Sequence, residues 1–278
     1  MFIILSLLIL LLSFCLYGYW TNRQLEIESL PLPLTSLPAE LDGLKITHLS
    51  DIHLKRLRVD KEFLLKEIRL VKPDLIFITG DTIDRTEDLA TTTIQQFIND
   101  IAVIAPTYVI EGNHEPTCSD FNYWRELLSQ SSATLLENDY ETIYINQHKI
   151  GIIGLKNNVT SLNKKRQESL PNHTINLLLA HHPEHFHEYL TNFDEKDNVI
   201  AIFSGHAHGG QIRLPLIDGL LSPNQGWFPR YTNGLYQEVT RSTTYLIVSR
   251  GLSNSRFPFR INNKPHLINV ILTKKNKP

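Results

Sequence analysis

Carboxylate, amide and imidazole side chains recur in this chain in short motifs, each at the end of an apolar run. The motifs are Asp51-Ile52-His53, Gly80-Asp81-Thr82-Ile83-Asp84, Gly112-Asn113-His114-Glu115, His181 and Gly205-His206-Ala207-His208. Singly, each has an ordinary explanation. Asp-x-His is commonly a loop or cap pair, Gly-Asp a turn, and Asn-His a turn with a left-handed Asn. Together and in this order, Asp51, His53, Asp81, Asn113, His181, His206 and His208 make a set of candidate metal ligands. Mixed carboxylate, amide and imidazole donors suit divalent Mn, Fe, Zn or Co and argue against calcium, which takes oxygen alone. Two such ions about 3.5–4 Å apart need a shared anion to offset their repulsion. Asp81, in the middle motif, is the natural bridge.

The elements that must position these residues are legible in outline. Short runs rich in Ile, Leu, Val, Thr, Phe or Tyr predict strands at 45–50, 74–79, 107–110, 142–145, 150–155, 175–180, 199–204, 244–249 and 266–272. Helical patterns at 60–71, 87–101 and 119–129 separate the first strands, with Asp60 as an N-cap and Pro73 just past the end of the first. Strand–helix alternation implies a parallel core sheet. The later half has fewer helices and implies a second, mixed or antiparallel sheet. In open α/β sheets, ligand sites lie beyond the carboxyl ends of the strands. The first three motifs follow three successive strands at intervals of about 30 residues, one βαβ unit each. Consecutive parallel strands thus bring the loops to one edge. Gly80, Gly112 and Gly205 permit tight turns there.

Composition narrows the class. The chain has 278 residues, 42% of them hydrophobic, and a formal net charge of −2. It lacks the basic field of a nucleic-acid binder. Cys15 and Cys118 are its only cysteines, so the globular part holds no disulfide framework and no cysteine zinc site.

Residues 2–19, FIILSLLILLLSFCLYGY, carry no charge, and Tyr17, Tyr19 and Trp20 cluster at the far end. That is the length of a bilayer span with an aromatic interface. A cleavable signal peptide fits less well, because a basic n-region and an Ala-x-Ala-like site are missing. The division expected is an anchor at 1–20, an extended Pro-containing tether at 21–41 and one domain at 42–278. A plasma-membrane location in a bacterium follows, with the facing side and the oligomeric state left open.

The motif set resembles the calcineurin-like metallophosphoesterase superfamily, whose signature is D-x-H, G-D-x-x-D, G-N-H-[DE], a lone His and G-H-x-H. The string GHAHGGQIRLP, with the apolar N-terminus, resembles the YaeI/YkuE-like phosphodiesterases. The resemblance implies an α/β fold, a four-layer αββα sandwich of two mixed sheets flanked by helices. It implies one ion among Asp51, His53, Asp81 and His208, and a second among Asp81, Asn113, His181 and His206. His114 becomes the catalytic histidine and Asp84 its orienter. The implied chemistry is hydrolysis of a phosphodiester or pyrophosphate bond. The two cations would polarise the phosphoryl oxygens and acidify a bridging water whose hydroxide attacks phosphorus, while His114, as imidazolium, would stabilise the developing charge or protonate the leaving oxygen. Some relatives of the subgroup split UDP-2,3-diacylglucosamine, so a lipid-linked nucleotide is among the implied substrates.

The lone-His position falls to His181 or His182; His181 is favoured because it ends the apolar run INLLLAH, with His182 expected to point the other way along the strand, and His185 and His187 fall on a following helix. Arg85, Arg213, Arg250 and Arg256 are candidates to grip a substrate phosphate, with Arg213 favoured for its closeness to His208. The stretch 214–231 has only Asp218 and Arg230 as charges, and part of it is read as an apolar lip for an acyl chain or the membrane interface. The rival readings are a cell-envelope phosphomonoesterase or protein phosphatase, and a non-catalytic scaffold of the same fold.

Overall fold

The computed structural model describes residues 2–215, 217–239, 241–254 and 258–275. In chain order its regular elements begin with α1 (Phe2–Thr21), β1 (Glu26–Leu34), β2 (Lys45–Leu49), α2 (Lys61–Val71), β3 (Leu75–Thr79), α3 (Ile94–Ala102), β4 (Thr107–Ile110) and α4 (Phe121–Ser129). They continue with β5 (Thr134–Leu135), β6 (Asp139–Ile145), β7 (His148–Gly154), α5 (Lys164–Glu168), β8 (Ile175–Leu179), α6 (Phe186–Asn192) and β9 (Val199–Ser204). Two small hairpins follow, β10 (Arg213–Leu214) with β11 (Ile217–Gly219) and β12 (Leu221–Ser222) with β13 (Gly226–Trp227). The chain closes with β14 (Gly234–Glu238), β15 (Arg241–Val248) and β16 (His266–Lys274).

Two six-stranded sheets stack face to face, in the orders β1-β16-β2-β3-β4-β5 and β14-β15-β9-β8-β7-β6. Within the first, β2 to β5 run parallel and β16 runs antiparallel to β2. Within the second, β7, β8, β9 and β15 are parallel, flanked by antiparallel β6 and β14. Both sheets are therefore mixed. Ile46, Phe77 and Ile110 of one sheet pack against Ile152, Leu177 and Phe203 of the other. Ile68, Ile98 and Trp124 of α2 to α4 cover the first sheet, and Phe186 and Tyr189 of α6 cover the second. This is the four-layer sandwich expected. Sheets covered on both faces need unbroken apolar strands, and all residues of β3, β4, β8 and β9 are buried.

Local sequence explains most boundaries. Asp60 caps α2 by accepting from Phe63 N at 2.8 Å, and Lys72 ends it in the left-handed region, φ 53°. The helix expected over 87–101 starts only at Ile94. Glu87 is held instead by Lys55 N at 3.2 Å and by the Thr92 hydroxyl, and the β-branched run Thr91–Thr93 favours extended backbone over helix.

The segment expected as a free tether is part of the sheet. β1 pairs in parallel with β16 over its whole length and turns Leu32 and Leu34 into the core. Pro31 and Pro33 are tolerated because β1 is an edge strand. Glu26 N bonds Pro265 O at 2.8 Å, so odd-numbered positions present their missing donors to the open side. α1 is 20 residues long and stands out from the body, with only Gly18 and Thr21 buried. It is apolar and long enough to cross a bilayer.

Candidate metal centre

All five motifs end strands that point the same way. Asp51 follows β2, Gly80-Asp81 follows β3, Gly112-Asn113 follows β4, His181 follows β8 and Gly205-His206 follows β9. At this edge the backbone reverses sharply. Asp51, His53, Asp81, His206 and His208 all have positive φ, at 49°, 37°, 53°, 64° and 47°. Each such residue costs about 1–3 kcal/mol, and such strain persists only where the surroundings over-determine it. Here the loops hold one another. Asp51 N bonds Gly80 O at 3.1 Å, His53 N bonds Asp81 O at 2.9 Å, and Gly205 N bonds His181 O at 3.1 Å. Space is as tight as the turns. A Cβ on Gly205 would stand 1.7 Å from Ser50 Oγ, and one on Gly112 would stand 2.3 Å from Asp81 Oδ1.

The side chains converge on Asp81. Its Oδ2 lies 3.5 Å from His181 Nε2, 3.6 Å from His53 Nε2 and 3.9 Å from His114 Nε2. Asp51 Oδ1 lies 3.3 Å from His208 Nε2, and Asn113 Oδ1 lies 3.3 Å from His181 Nε2. Ligand atoms of Asp51, His53 and His208 share one small volume, and those of Asp51, Asp81 and His181 share another. The imidazoles are aimed from behind. Nδ1 of His53 meets Ile83 O at 3.2 Å, Nδ1 of His181 meets Thr79 O at 2.7 Å, and Nδ1 of His208 meets Ser253 O at 3.1 Å. In the neutral rings, a proton on each Nδ1 leaves the Nε2 lone pair turned toward the carboxylates, as in protein metal sites generally.

Electrostatics make the same demand. Burial pushes Asp51 up and its neighbour Asp81 adds to that. Burial also opposes a charge on Asp81, yet His181, His53 and His114 hold it well below the usual carboxylate range. His181 is pushed up to about 10 because Asp81 and Asp51 outweigh its burial. His53 and His208 are driven by burial down to about 4 and about 3, ready as neutral donors. Buried carboxylates at close quarters require positive charge between them, which a proton on His181 or a divalent cation supplies. Nε2 of His53 is buried without a hydrogen-bond partner. An orphaned imidazole nitrogen facing a carboxylate, in a donor set of this kind, fits a divalent ion.

The remaining candidates divide. His114 opens to a cleft of about 650 Å³ that Arg85, Asn113, His182, Gln211 and Asn224 help to line. Asp84 Oδ2 is 3.5 Å from His114 Nδ1 but is gripped by Arg56 Nε at 2.7 Å, and the firm partner of Nδ1 is Arg85 N at 3.1 Å. Arg213, favoured from sequence as a phosphate grip, is not a cleft residue. It pairs with Asp218 and bridges to Thr232, bracing the β10–β11 hairpin. Arg250 is buried and ion-paired to Glu26 at 2.9 Å, and Arg256 lies outside the described residues. Leu221 and Ser222 rim the cleft, while Trp227 and Phe228 on the same hairpin are exposed. His206 lies against His181, ring centres 5.0 Å apart, but turns its Nε2 toward Glu184.

Sequence reading passed over Glu115 as a structural part. It is wholly buried and accepts from Asp81 N, Thr82 N, Thr82 Oγ1 and Gly112 N at 3.2, 2.6, 2.9 and 2.8 Å. One carboxylate thus welds two motif loops together. Glu184 and Asn157 were also missed. Only the closeness of Glu184 to His181 in sequence signalled it, and Asn157 gave no signal.

The family described as calcineurin-like phosphoesterase matches residues 44–210. The chain is 31% identical over 282 residues to the metallophosphoesterase YkuE of Bacillus subtilis, with 93% of this chain and 91% of that protein aligned. It is 28% identical over 228 residues to the phosphodiesterase YaeI of Escherichia coli, with 80% of each covered. A bovine transmembrane protein with a metallophosphoesterase domain is 26% identical. There 88% of this chain aligns with 56% of that one, so the chain spans little more than half its length. Among solved structures, the NAD nucleotidase of Haemophilus influenzae superposes with a TM-score of 0.50 at 15% identity, over 76% of this chain and 46% of that one. That likeness shows the fold alone.

Proposed function

The chain belongs to the calcineurin-like phosphoesterase family, and we propose that it is a membrane-anchored phosphodiesterase that works with two divalent cations. The observation that carries this reading is the gathering of Asp51, Asp81, His53, His181, His208 and Asn113 at one edge of two sheets. Asp51, His53, Asp81 and His208 would hold one ion, and Asp81, Asn113, His181 and His206 the other. Mn is the ion favoured, with Fe, Zn or Co fitting the same donors. When bound, the cations supply Lewis-acid polarisation of the phosphoryl oxygens and a more acidic water.

The chain's own groups do the rest. His114 borders the cleft, and its Nδ1 accepts from Arg85 N. In the neutral ring the proton therefore sits on Nε2, the atom 3.9 Å from Asp81. Burial lowers the His114 pKa, with Asp81 and Asp84 opposing and Arg85 assisting. The group supported is a neutral Nε2–H that donates a hydrogen bond to the leaving oxygen and keeps its proton, in place of the imidazolium expected from sequence. Arg85 is the cleft arginine available to a non-reacting phosphate oxygen.

A diester is preferred over a monoester because a relative that covers 80% of this chain carries the name phosphodiesterase. The exposed Trp227 and Phe228 beside the cleft support an amphiphilic diester. α1 would hold the body at the bilayer surface. The test is turnover of bis-p-nitrophenyl phosphate against p-nitrophenyl phosphate by the purified, Mn-loaded protein. Faster diester hydrolysis is expected. Faster monoester hydrolysis would make it a phosphomonoesterase, and no turnover with both cations bound would make it a scaffold.

A further inference from the structure

Beside the proposed ligands, one buried donor and one buried acceptor stand unjoined. Nε2 of His206 is buried and makes no hydrogen bond, and so is Oε2 of Glu184. The two side chains are adjacent, with Glu184 Oε1 3.8 Å from His206 Nε2. Buried polar groups in native proteins are nearly always paired, so a bare ring nitrogen beside a carboxylate, at a separation longer than a hydrogen bond, calls for an explanation.

The Glu184 carboxylate is firmly mounted. It follows Pro183 in a single 3-10 turn, Pro183–His185, directly after the β8 motif. His182 Nδ1 holds Oε1 at 2.9 Å, and His182 is itself fixed through Nε2 to Asn157 Oδ1 at 2.7 Å. Asn224 Nδ2, at the tip of the cleft hairpin, donates to the same oxygen at 3.0 Å. This is a rigid carboxylate behind a histidine of the metal-ligand set. The other three imidazoles of that set are aimed by backbone carbonyls. For His206 the structure offers a carboxylate.

We propose that Glu184 is a positioning residue for the cation centre. It accepts the Nε2 proton of His206 and so turns the lone pair of the other ring nitrogen toward the ion. The inference rests on the reading of His206 as a ligand. Removing a carboxylate partner of a metal-bound histidine lowers metal affinity about 10–100-fold. The loss should fall on one ion, because His206 serves one.

The test is Mn titration by equilibrium dialysis of the full-length protein in detergent. Glu184→Ala is expected to weaken one site at least 10-fold and leave the other at its unaltered affinity. The intact site serves as the control for folding. Glu184→Gln, which keeps an acceptor, is expected to recover part of the loss. The inference is overturned if Glu184→Ala keeps both affinities, if both sites fall together, or if Gln is as damaging as Ala. An unaltered protein that binds no Mn overturns it together with the proposed function. Two normal sites in Glu184→Ala overturn this inference alone.

Discussion

His114 and Glu115 are neighbours with opposite duties. His114 reaches the cleft and is held through Nδ1 by a backbone amide, so in the neutral ring its proton sits on Nε2. Replacing it with alanine should cut turnover by about 10²–10⁴-fold. Metal analysis of the same variant should still find two cations, because the groups Asp51–His53–His208 and Asp51–Asp81–His181 form without it. Equal loss of metal and activity would show that His114 is a ligand instead. Glu115 never sees solvent. Its carboxylate is pushed up to about 7 by burial and by Asp81, yet four donors surround it. Glu115→Ala leaves those donors bare and should cost about 3 kcal/mol or more of stability. Urea unfolding measures this directly, and a loss under about 1 kcal/mol would remove Glu115 from its structural role.

At the scale of elements, the site is a set of strand ends whose loops have almost no slack. Gly205→Ala should displace Ser50 and Asp51, since the new methyl would fall 1.7 Å from Ser50 Oγ and 2.5 Å from Asp51 Oδ2. The expected result is a lowered melting temperature and a weakened cation site, read by thermal unfolding with and without Mn. An unchanged protein would mean that the β9 turn is looser than its geometry. This tightness is also why so much was legible. Strands β3, β4, β8 and β9 are largely apolar runs closely followed by glycine or a polar donor, a pattern that short-range sequence carries. What escaped depends on distant partners. β1 reads as a proline-rich tether until β16, more than two hundred residues later, provides its mate. α3 starts late because Glu87 bonds across to Lys55. Arg213 lies near His208 in sequence, but Asp218 claims it. The same limit applies within the site. Its donors could be named from motifs, whereas Glu184 behind His206 requires the folded β8–β9 edge.

Across the whole molecule, the apolar helix and the site are joined by a short chain of bonds. Asn22, just past α1, donates to Pro258 O at 2.8 Å and accepts from Arg260 N at 3.0 Å. Arg260 is wholly buried and donates to Ser253 O, the carbonyl that also meets His208 Nδ1. α1 itself packs through Phe14 on Phe259, edge to face, and bonds Tyr17 to Asn262 at 2.8 Å. A helix so docked should stay attached. Mass spectrometry of the protein from the membrane fraction should therefore find the full 32.0 kDa chain. A shortened, soluble product would reassign α1 as a cleaved signal. All of these expectations rest on cations gathered around Asp81. The most direct measurement is anomalous diffraction from crystals of the Mn-loaded protein. Two peaks about 3.5–4 Å apart, with Asp81 between them and Asp51, Asn113, His181 and His208 around them, are the expected result. No peak beside Asp81, or a single peak that leaves Asn113 and His181 unbound, would contradict the shared-carboxylate centre.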